Sequence, residues 1–200
     1  MTPMSIVDRA LATTGLDVVA RARRAGDFAS VRAELERLEK ADLLALGALA
    51  DRVRSDEVGD VVRVYANATP EDAADVVHVE HAEGLALLRQ VAIARITGPR
   101  AARVRVDWTS IGLELAQVAL GFGASELVGT IASKRGLPLA ADAMSGVAKR
   151  SQMQPAQLVK KREIAGFIER SGRSPVFVGA GGALERLDET SRGETVGDQP

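Results

Sequence analysis

The chain of 200 residues contains no cysteine. Without thiolates it cannot form disulfides, hold zinc or an iron–sulfur cluster through cysteine, or use a cysteine nucleophile. Histidine is scarce too, since His78 and His81 are the only two in the chain. A Ser–His–Asp triad therefore has little to draw on. These shortages remove several common kinds of reactive centre before any motif is considered.

Aromatic residues make up 3% of the chain, so Leu, Val, Ile and Ala must form most of the core, and Ala and Leu favour helix. The net charge is -1 and there is no long basic run, so we expect no nucleic-acid partner. No apolar stretch reaches the roughly 20 residues of a membrane span. Residues 1–20 lack the basic-then-apolar pattern of a signal peptide. We therefore expect a cytoplasmic protein without a membrane partner.

Three stretches have the alternating pattern of β-strands, rich in branched side chains. "VVRVYA" occupies 61–66, and "SPVFVG" lies near the end of the chain. "RVRVDW" (103–108) places Val104, Val106 and Trp108 on one face and charged residues on the other. A shorter strand is predicted within "ASELVGTI".

Helical patterns fill the segments between these strands. Residues 5–55 predict a helical lead-in, with leucines at helical spacing and Asp42 as a candidate N-cap. A helix is also predicted in "TPEDAADVV", with Thr69 as its N-cap and Pro70 at its first position. The other predicted helices are 80–98, a helix capped by Thr109 or Ser110, 139–150 and 154–172.

Strands that alternate with helices predict an α/β fold with parallel strand pairing. We expect residues 1–179 to form a single α/β domain. Residues 180–200 are polar and rich in glycine, which predicts a mostly disordered tail.

Three blocks of the chain, in this order, carry a resemblance to a known family: "KADLLALGALADRVRSDEVGDVVRVYAN", "LLRQVAIARITGPRAARVRVDWTSIGLELAQVALGFGASELVGT" and "KKREIAGFIERSGRSPV". They resemble the radical S-adenosylmethionine enzymes of futalosine-dependent menaquinone synthesis. That family comprises aminofutalosine synthase, dehypoxanthine futalosine cyclase and the related deazaflavin-forming synthases. The blocks cover a little under half of the chain.

The departures from that family decide what the resemblance implies. Family members follow the first strand with a CxxxCxxC loop that holds a cluster, whereas this chain continues with "ATPEDAADVVHVEHAEG". The middle barrel strands are also missing, and the family's Asp before Gly-Gly-Thr is replaced by "SELVGT", with Glu126 nearest. The resemblance therefore implies a partial TIM-type βα barrel with no iron–sulfur cluster, and we expect no cofactor.

A partial barrel leaves open sheet edges and an apolar face, which favour pairing with another chain. We therefore expect a non-catalytic protein that acts as a partner or regulatory subunit, or as a small-molecule binder. Its partner would be a second copy or a full-length radical SAM homologue. The resemblance also implies a link to futalosine-pathway menaquinone synthesis.

The carboxyl ends of the strands carry the chemistry in barrel-like folds. Polar residues at or near these ends are candidate ligand-binding residues: Asn67, Thr69, Arg105, Asp107, Thr109 and Ser110. The resemblance adds Glu126 and Thr130 in "SELVGT" to this set. Structural roles also account for part of this set. Thr109 or Ser110 caps a helix, and Arg105 with Asp107 forms a local ion pair.

The alternative hypothesis is an enzyme with altered chemistry at the carboxyl edge of the strands, assisted by a metal. In "HVEH", neutral imidazoles of His78 and His81 with a nearby carboxylate suit zinc or iron. A complete site needs a third ligand, which the sequence does not identify. The structural interpretation is two polar residues at the start of a helix.

Overall fold

The computed structural model describes residues 5–66, 75–79, 84–132, 159–179 and 184–185. Five helices precede the first strand: α1 (Ile6–Thr14), α2 (Asp17–Ala25), α3 (Phe28–Ala33), α4 (Leu35–Lys40) and α5 (Leu43–Val58). Side chains of Ser5, Asp27 and Asp42 cap three of their N-termini, which accounts for these starting points. The predicted helical lead-in and the Asp42 cap are confirmed.

The strands and later helices follow in chain order: β1 (Val61–Ala66), β2 (Val76–His78), α6 (Gly84–Thr97), β3 (Arg103–Asp107), α7 (Trp108–Ile111), α8 (Leu113–Leu120), β4 (Glu126–Gly129), β5 (Ile131–Ala132), β6 (Val159–Lys160), α9 (Lys161–Arg170), β7 (Ser174–Val178) and β8 (Leu184–Glu185). The main sheet has the order β2-β3-β4-β1-β7-β8. The first five of these strands are parallel, and β8 is antiparallel to β7. The predicted α/β class with parallel pairing is therefore confirmed. The short strands β5 and β6 pair separately.

One face of the sheet forms the hydrophobic core with the helices. The alternate residues of the strands that face this side are aliphatic or aromatic and buried: Val62, Val64, Val104, Val106, Leu127 and Phe177. Helix residues of the same cluster come from α1, α2, α5, α6, α8 and α9 among others, including Leu46, Leu49, Leu87, Val91, Leu120 and Ile164. Burial of this contiguous surface is the main stabilising contribution to the fold.

The carboxyl ends of β3 and β4 are joined by a contact that requires a glycine. Trp108 follows β3 and is 2% exposed. Gly129 has φ +158, and a Cβ built on it would lie 2.3 Å from Cε2 of the indole. The ring therefore packs directly on the β4 backbone, and any larger residue would displace it.

Three local predictions are wrong. The helix predicted from Thr69 does not include Val76 and Val77, which belong to β2. The residues preceding them in that segment lie outside the described ranges. Branched side chains fit a strand, and β2 gains backbone hydrogen bonds by pairing with β3.

The helix predicted over 154–172 begins only at Lys161, because the residues just before it pair with β5. The helix after β3 is capped by Asp107 rather than by Thr109 or Ser110, and Gly112 (φ 85) divides it into α7 and α8. The predicted helix over 139–150 lies outside the described residues.

In the part of the chain that the structure describes, no helix is both long enough and apolar enough to cross a membrane. Leu184–Glu185, which lie in the predicted tail, pair with β7. The division into a domain of residues 1–179 and a tail stays a prediction.

Candidate functional site

Charged and polar side chains lie on the sheet face opposite the helix-packed core. His78, Arg105, Glu126 and Arg63 are register partners on four neighbouring strands, β2, β3, β4 and β1. Partners in parallel register point to the same face, so these four side chains form one row across the sheet. We call this set the polar row.

An ion pair at the centre of the polar row is almost completely removed from solvent. Glu126 is 0% exposed and Arg105 is 2% exposed. The Arg105 Nε and Nη2 atoms donate to Oε2 of Glu126 at 2.9 Å and 2.7 Å. The Arg105 guanidinium also lies over the Tyr65 ring, 5.0 Å from its centroid. Charge-assisted hydrogen bonds and a cation–π contact thus fix Arg105 in one orientation.

The second oxygen of Glu126 faces three further donors. The Tyr65 hydroxyl donates to Oε1 at 3.4 Å. Nη1 of Arg103 lies 3.5 Å from this oxygen, and Nη1 of Arg63 lies 3.9 Å from it. One buried carboxylate is therefore surrounded by three guanidinium groups.

Arg103 has a carboxylate partner of its own. Its Nε and Nη2 atoms donate to the two oxygens of Asp75 at 2.8 Å and 2.9 Å. The hydrogen bonds from Arg103 lower the pKa of Asp75 and, in turn, the Asp75 carboxylate raises the pKa of Arg103. This fork-shaped pair leaves Arg103 less available to a ligand than Arg63.

Two of the predicted ligand-binding residues, Arg105 and Glu126, lie together in the polar row. The predicted ion pair of Arg105 with Asp107 is not formed, because Arg105 pairs with Glu126. Asp107 instead accepts from the backbone N and Oγ1 of Thr109 at 2.7 Å and 2.6 Å. The Ser110 hydroxyl donates to the Asp107 carbonyl at 2.9 Å. Asp107, Thr109 and Ser110 thus order the start of α7.

Among the other predicted residues, Thr130 lies within the described ranges and is not part of the row. Thr130 follows β4 and is half-buried. Asn67, Thr69 and His81 lie outside the described residues. The roles predicted for these three positions therefore stay predictions.

The polar row and the side chains bonded to it include four residues that the sequence did not lead us to select: Arg63, Tyr65, Arg103 and Asp75. The alternation of "VVRVYA" places Arg63 and Tyr65 on the same strand face, so the signal was present. What the sequence does not reveal is that β1 lies next to β4 in the sheet.

The metal hypothesis depends on His78 and His81. His78 is exposed, and its Nε2 lies 3.4 Å from Nη1 of Arg105. Over the described ranges, no three His, Asp or Glu side chains are grouped as metal ligands. A guanidinium beside His78 also disfavours a cation there. Because His81 lies outside those ranges, the metal site stays a prediction.

The comparisons with known proteins add no family to this geometry. No family model matches the chain, and no curated protein matches it significantly. The function proposed below therefore depends on the polar row and on the resemblance carried by the three sequence blocks.

Proposed function

We propose that this protein is a non-catalytic relative of the futalosine-pathway radical SAM enzymes that binds a small molecule at the polar row. The observation that carries the proposal is the buried pair of Arg105 and Glu126 on the sheet face opposite the one that the described helices cover. The chain lacks the cysteines for a cluster, so the proposed role is binding rather than radical chemistry.

Stability alone is a weak reason for such a pair. Desolvating two charges costs about as much as their attraction returns, and apolar residues of similar volume are often as stabilising. The opposite face of the same strands is filled with Val, Leu and Phe. A buried ion pair within a charged row, on a sheet that packs well with apolar residues, is better explained by recognition of a polar ligand.

The arrangement of the sheet supports the finer proposal of a partial βα barrel. The core cluster joins the described helices to one sheet face. In a barrel the helices lie outside and the other face lines the interior. The polar row would then occupy the inner wall of a partial barrel. The proposed link to menaquinone synthesis is supported only by the resemblance.

The test removes the charges of the site while keeping its volume. We expect the double variant Arg105→Met, Glu126→Leu to fold and to lose a ligand that the unaltered protein carries or binds. Native mass spectrometry of the purified full chain, followed by a thermal-shift panel of nucleosides and small organic acids, provides the readout.

The matched control is Arg21→Gln, which removes an arginine from a surface pair with Asp17 on α2. It is expected to bind as the unaltered protein does. A ligand that the double variant retains would place the binding site elsewhere and contradict the proposal.

A surface on the helical side favours a second role as a partner subunit. An open groove of about 430 Å³ lies between the start of α5 and α6 and includes Leu43, Leu85 and Ile93. Leu85 is 69% exposed, and nearby on α5 Leu44 is 76% exposed. Exposed leucines at a groove are typical of protein contacts.

We propose a homodimer or a complex with a full-length radical SAM homologue. Light scattering of the protein alone and mixed with such a homologue tests this, and a monomer in both samples would contradict it.

A further inference from the structure

We infer that the ligand of the polar row is an anion and that Arg63 binds its carboxylate or phosphate group. This inference rests on the proposed function and adds the chemical class of the ligand. The guanidinium groups of Arg63 and Arg105 lie within 4 Å of the Glu126 carboxylate. The guanidinium group of Arg103 lies within 4 Å of the Asp75 carboxylate. Within the described ranges, two carboxylates, Glu126 and Asp75, oppose the three guanidinium groups in these contacts.

The three arginines differ in how far their partners occupy them. Arg105 is held by two hydrogen bonds to Glu126, and Arg103 by two to Asp75. Among the residues that the structure describes, Arg63 makes only the 3.9 Å approach to Glu126, which is longer than a hydrogen bond. Its guanidinium therefore keeps donors for another acceptor.

Exposure points to the same residue. The side chain of Arg63 is 37% exposed, against 23% for Arg103 and 1% for Arg105. A ligand that reaches this face from solvent meets Arg63 before the other two. Glu126 has no exposed surface and cannot offer its carboxylate to a ligand without breaking its bonds to Arg105.

Charge and shape together determine the ligand class. Counted over the described residues, the positive charge of this partly desolvated site exceeds its negative charge, which attracts an anion and repels a cation. A guanidinium binds two oxygens of a carboxylate or phosphate through parallel N–H groups, which a point charge does not do. The shared chemistry is a pair of anionic oxygens, supplied by either group.

The experiment titrates the ¹⁵N-labelled full chain with inorganic phosphate and, separately, with acetate, at constant ionic strength set by sodium chloride. We expect saturable shifts of backbone amide signals in β1 and β4 with at least one of the two anions. The anion that binds more tightly identifies the ligand's charged group as phosphate or carboxylate.

Variants assign the effect to Arg63. Arg63→Gln should weaken binding by about 10- to 100-fold, as expected for the loss of hydrogen bonds to a charged group. Arg63→Lys keeps the charge without the fork and should weaken binding by less. It also carries the test if the Gln variant does not fold. Arg21→Gln should bind as the unaltered protein does.

Two results would overturn the inference. One is an absence of saturable shifts with both anions, and the other is equal binding by the unaltered protein and the Arg63 variants. If a neutral molecule is nevertheless bound and the double variant Arg105→Met, Glu126→Leu releases it, the anion inference is wrong and the proposed function stands. If that double variant keeps the bound molecule, the proposed function fails, whatever phosphate and acetate do.

Discussion

Arg95 and Arg105 are both buried arginines, yet the protein accommodates their charges in different ways. Arg95 lies in α6 on the helical side of the sheet and is 0% exposed. Its hydrogen bonds go to neutral acceptors: the Gly123 carbonyl at 2.8 Å, the Ser125 hydroxyl at 2.9 Å and the Ala102 carbonyl. Arg105 on the opposite face bonds to a carboxylate instead.

The two sets of partners indicate two roles. Arg95 satisfies backbone oxygens just before β3 and β4 and so holds the entries of both strands in place. Burial without a contacting carboxylate lowers its pKa to about 10, which leaves it charged at neutral pH. Arg105 shares Glu126 with Arg63, whose side chain is partly exposed and approaches that carboxylate only to 3.9 Å. A buried charge held by backbone acceptors is explained by folding, whereas for Arg105 and its neighbours we propose a ligand as well.

The largest expected effect comes from removing Arg95. Arg95→Met keeps the apolar length of the side chain but takes the Arg95 donors away from the buried Gly123 and Ala102 carbonyls. The Ser125 hydroxyl still accepts from the Val104 backbone N–H. We expect the free energy of unfolding to fall by about 3–5 kcal/mol, measured by urea denaturation. Arg21→Gln on the surface should change it by less than about 0.5 kcal/mol. A small loss in Arg95→Met would remove the structural role assigned to Arg95.

The next effect separates pairing from packing at Arg105. Glu126→Leu alone leaves Arg105 buried without its anion and should lower the free energy of unfolding by about 3 kcal/mol. Adding Arg105→Met should restore stability to within about 1 kcal/mol of the unaltered protein. A double-mutant cycle of urea denaturation measures both values. If the double variant is as unstable as the single one, the pair is needed for folding and the contrast with Arg95 is lost.

The smallest expected effect comes from substituting Asp8, an exposed carboxylate that serves as a reference for the buried Glu126. Hydrogen bonds from Ser5 and then from Arg52 lower the pKa of Asp8 to about 2, from 3.8. A lowered folded-state pKa stabilises the protein above pH 3.8, and this contribution is lost as the pH falls toward 2. Asp8→Asn should therefore reduce the slope of the melting temperature between pH 4 and pH 2.

Part of that slope should remain in Asp8→Asn, because the pKa values of Asp27 and Asp75 are also lowered. Above pH 5 the variant and the unaltered protein should show parallel curves. A slope unchanged by the substitution would mean that the Ser5 and Arg52 contacts do not persist in solution.

Local pattern predicted much of the fold. Strands β1, β3, β4 and β7 and most helices lie where branched alternation, helical spacing and caps indicated. The strand β2 was missed because three residues are too short to show a period beside a predicted helix cap. The candidate site was predicted in part. Arg105 was chosen because it shares a strand face with Asp107, and Glu126 because it is nearest to the Asp of the family that the chain resembles. Their pairing was not foreseen.

The sequence by itself determined the absence of cysteine chemistry, the alternation within each strand and the sides on which charges lie. Those properties depend on residue type and on a period of two, which are local. Only the tertiary structure decided that β4 lies between β3 and β1 and that the row from His78 to Arg63 is continuous. Strand order and register come from packing between segments distant in the chain, so Glu126 acquired its three arginines only when the sheet assembled.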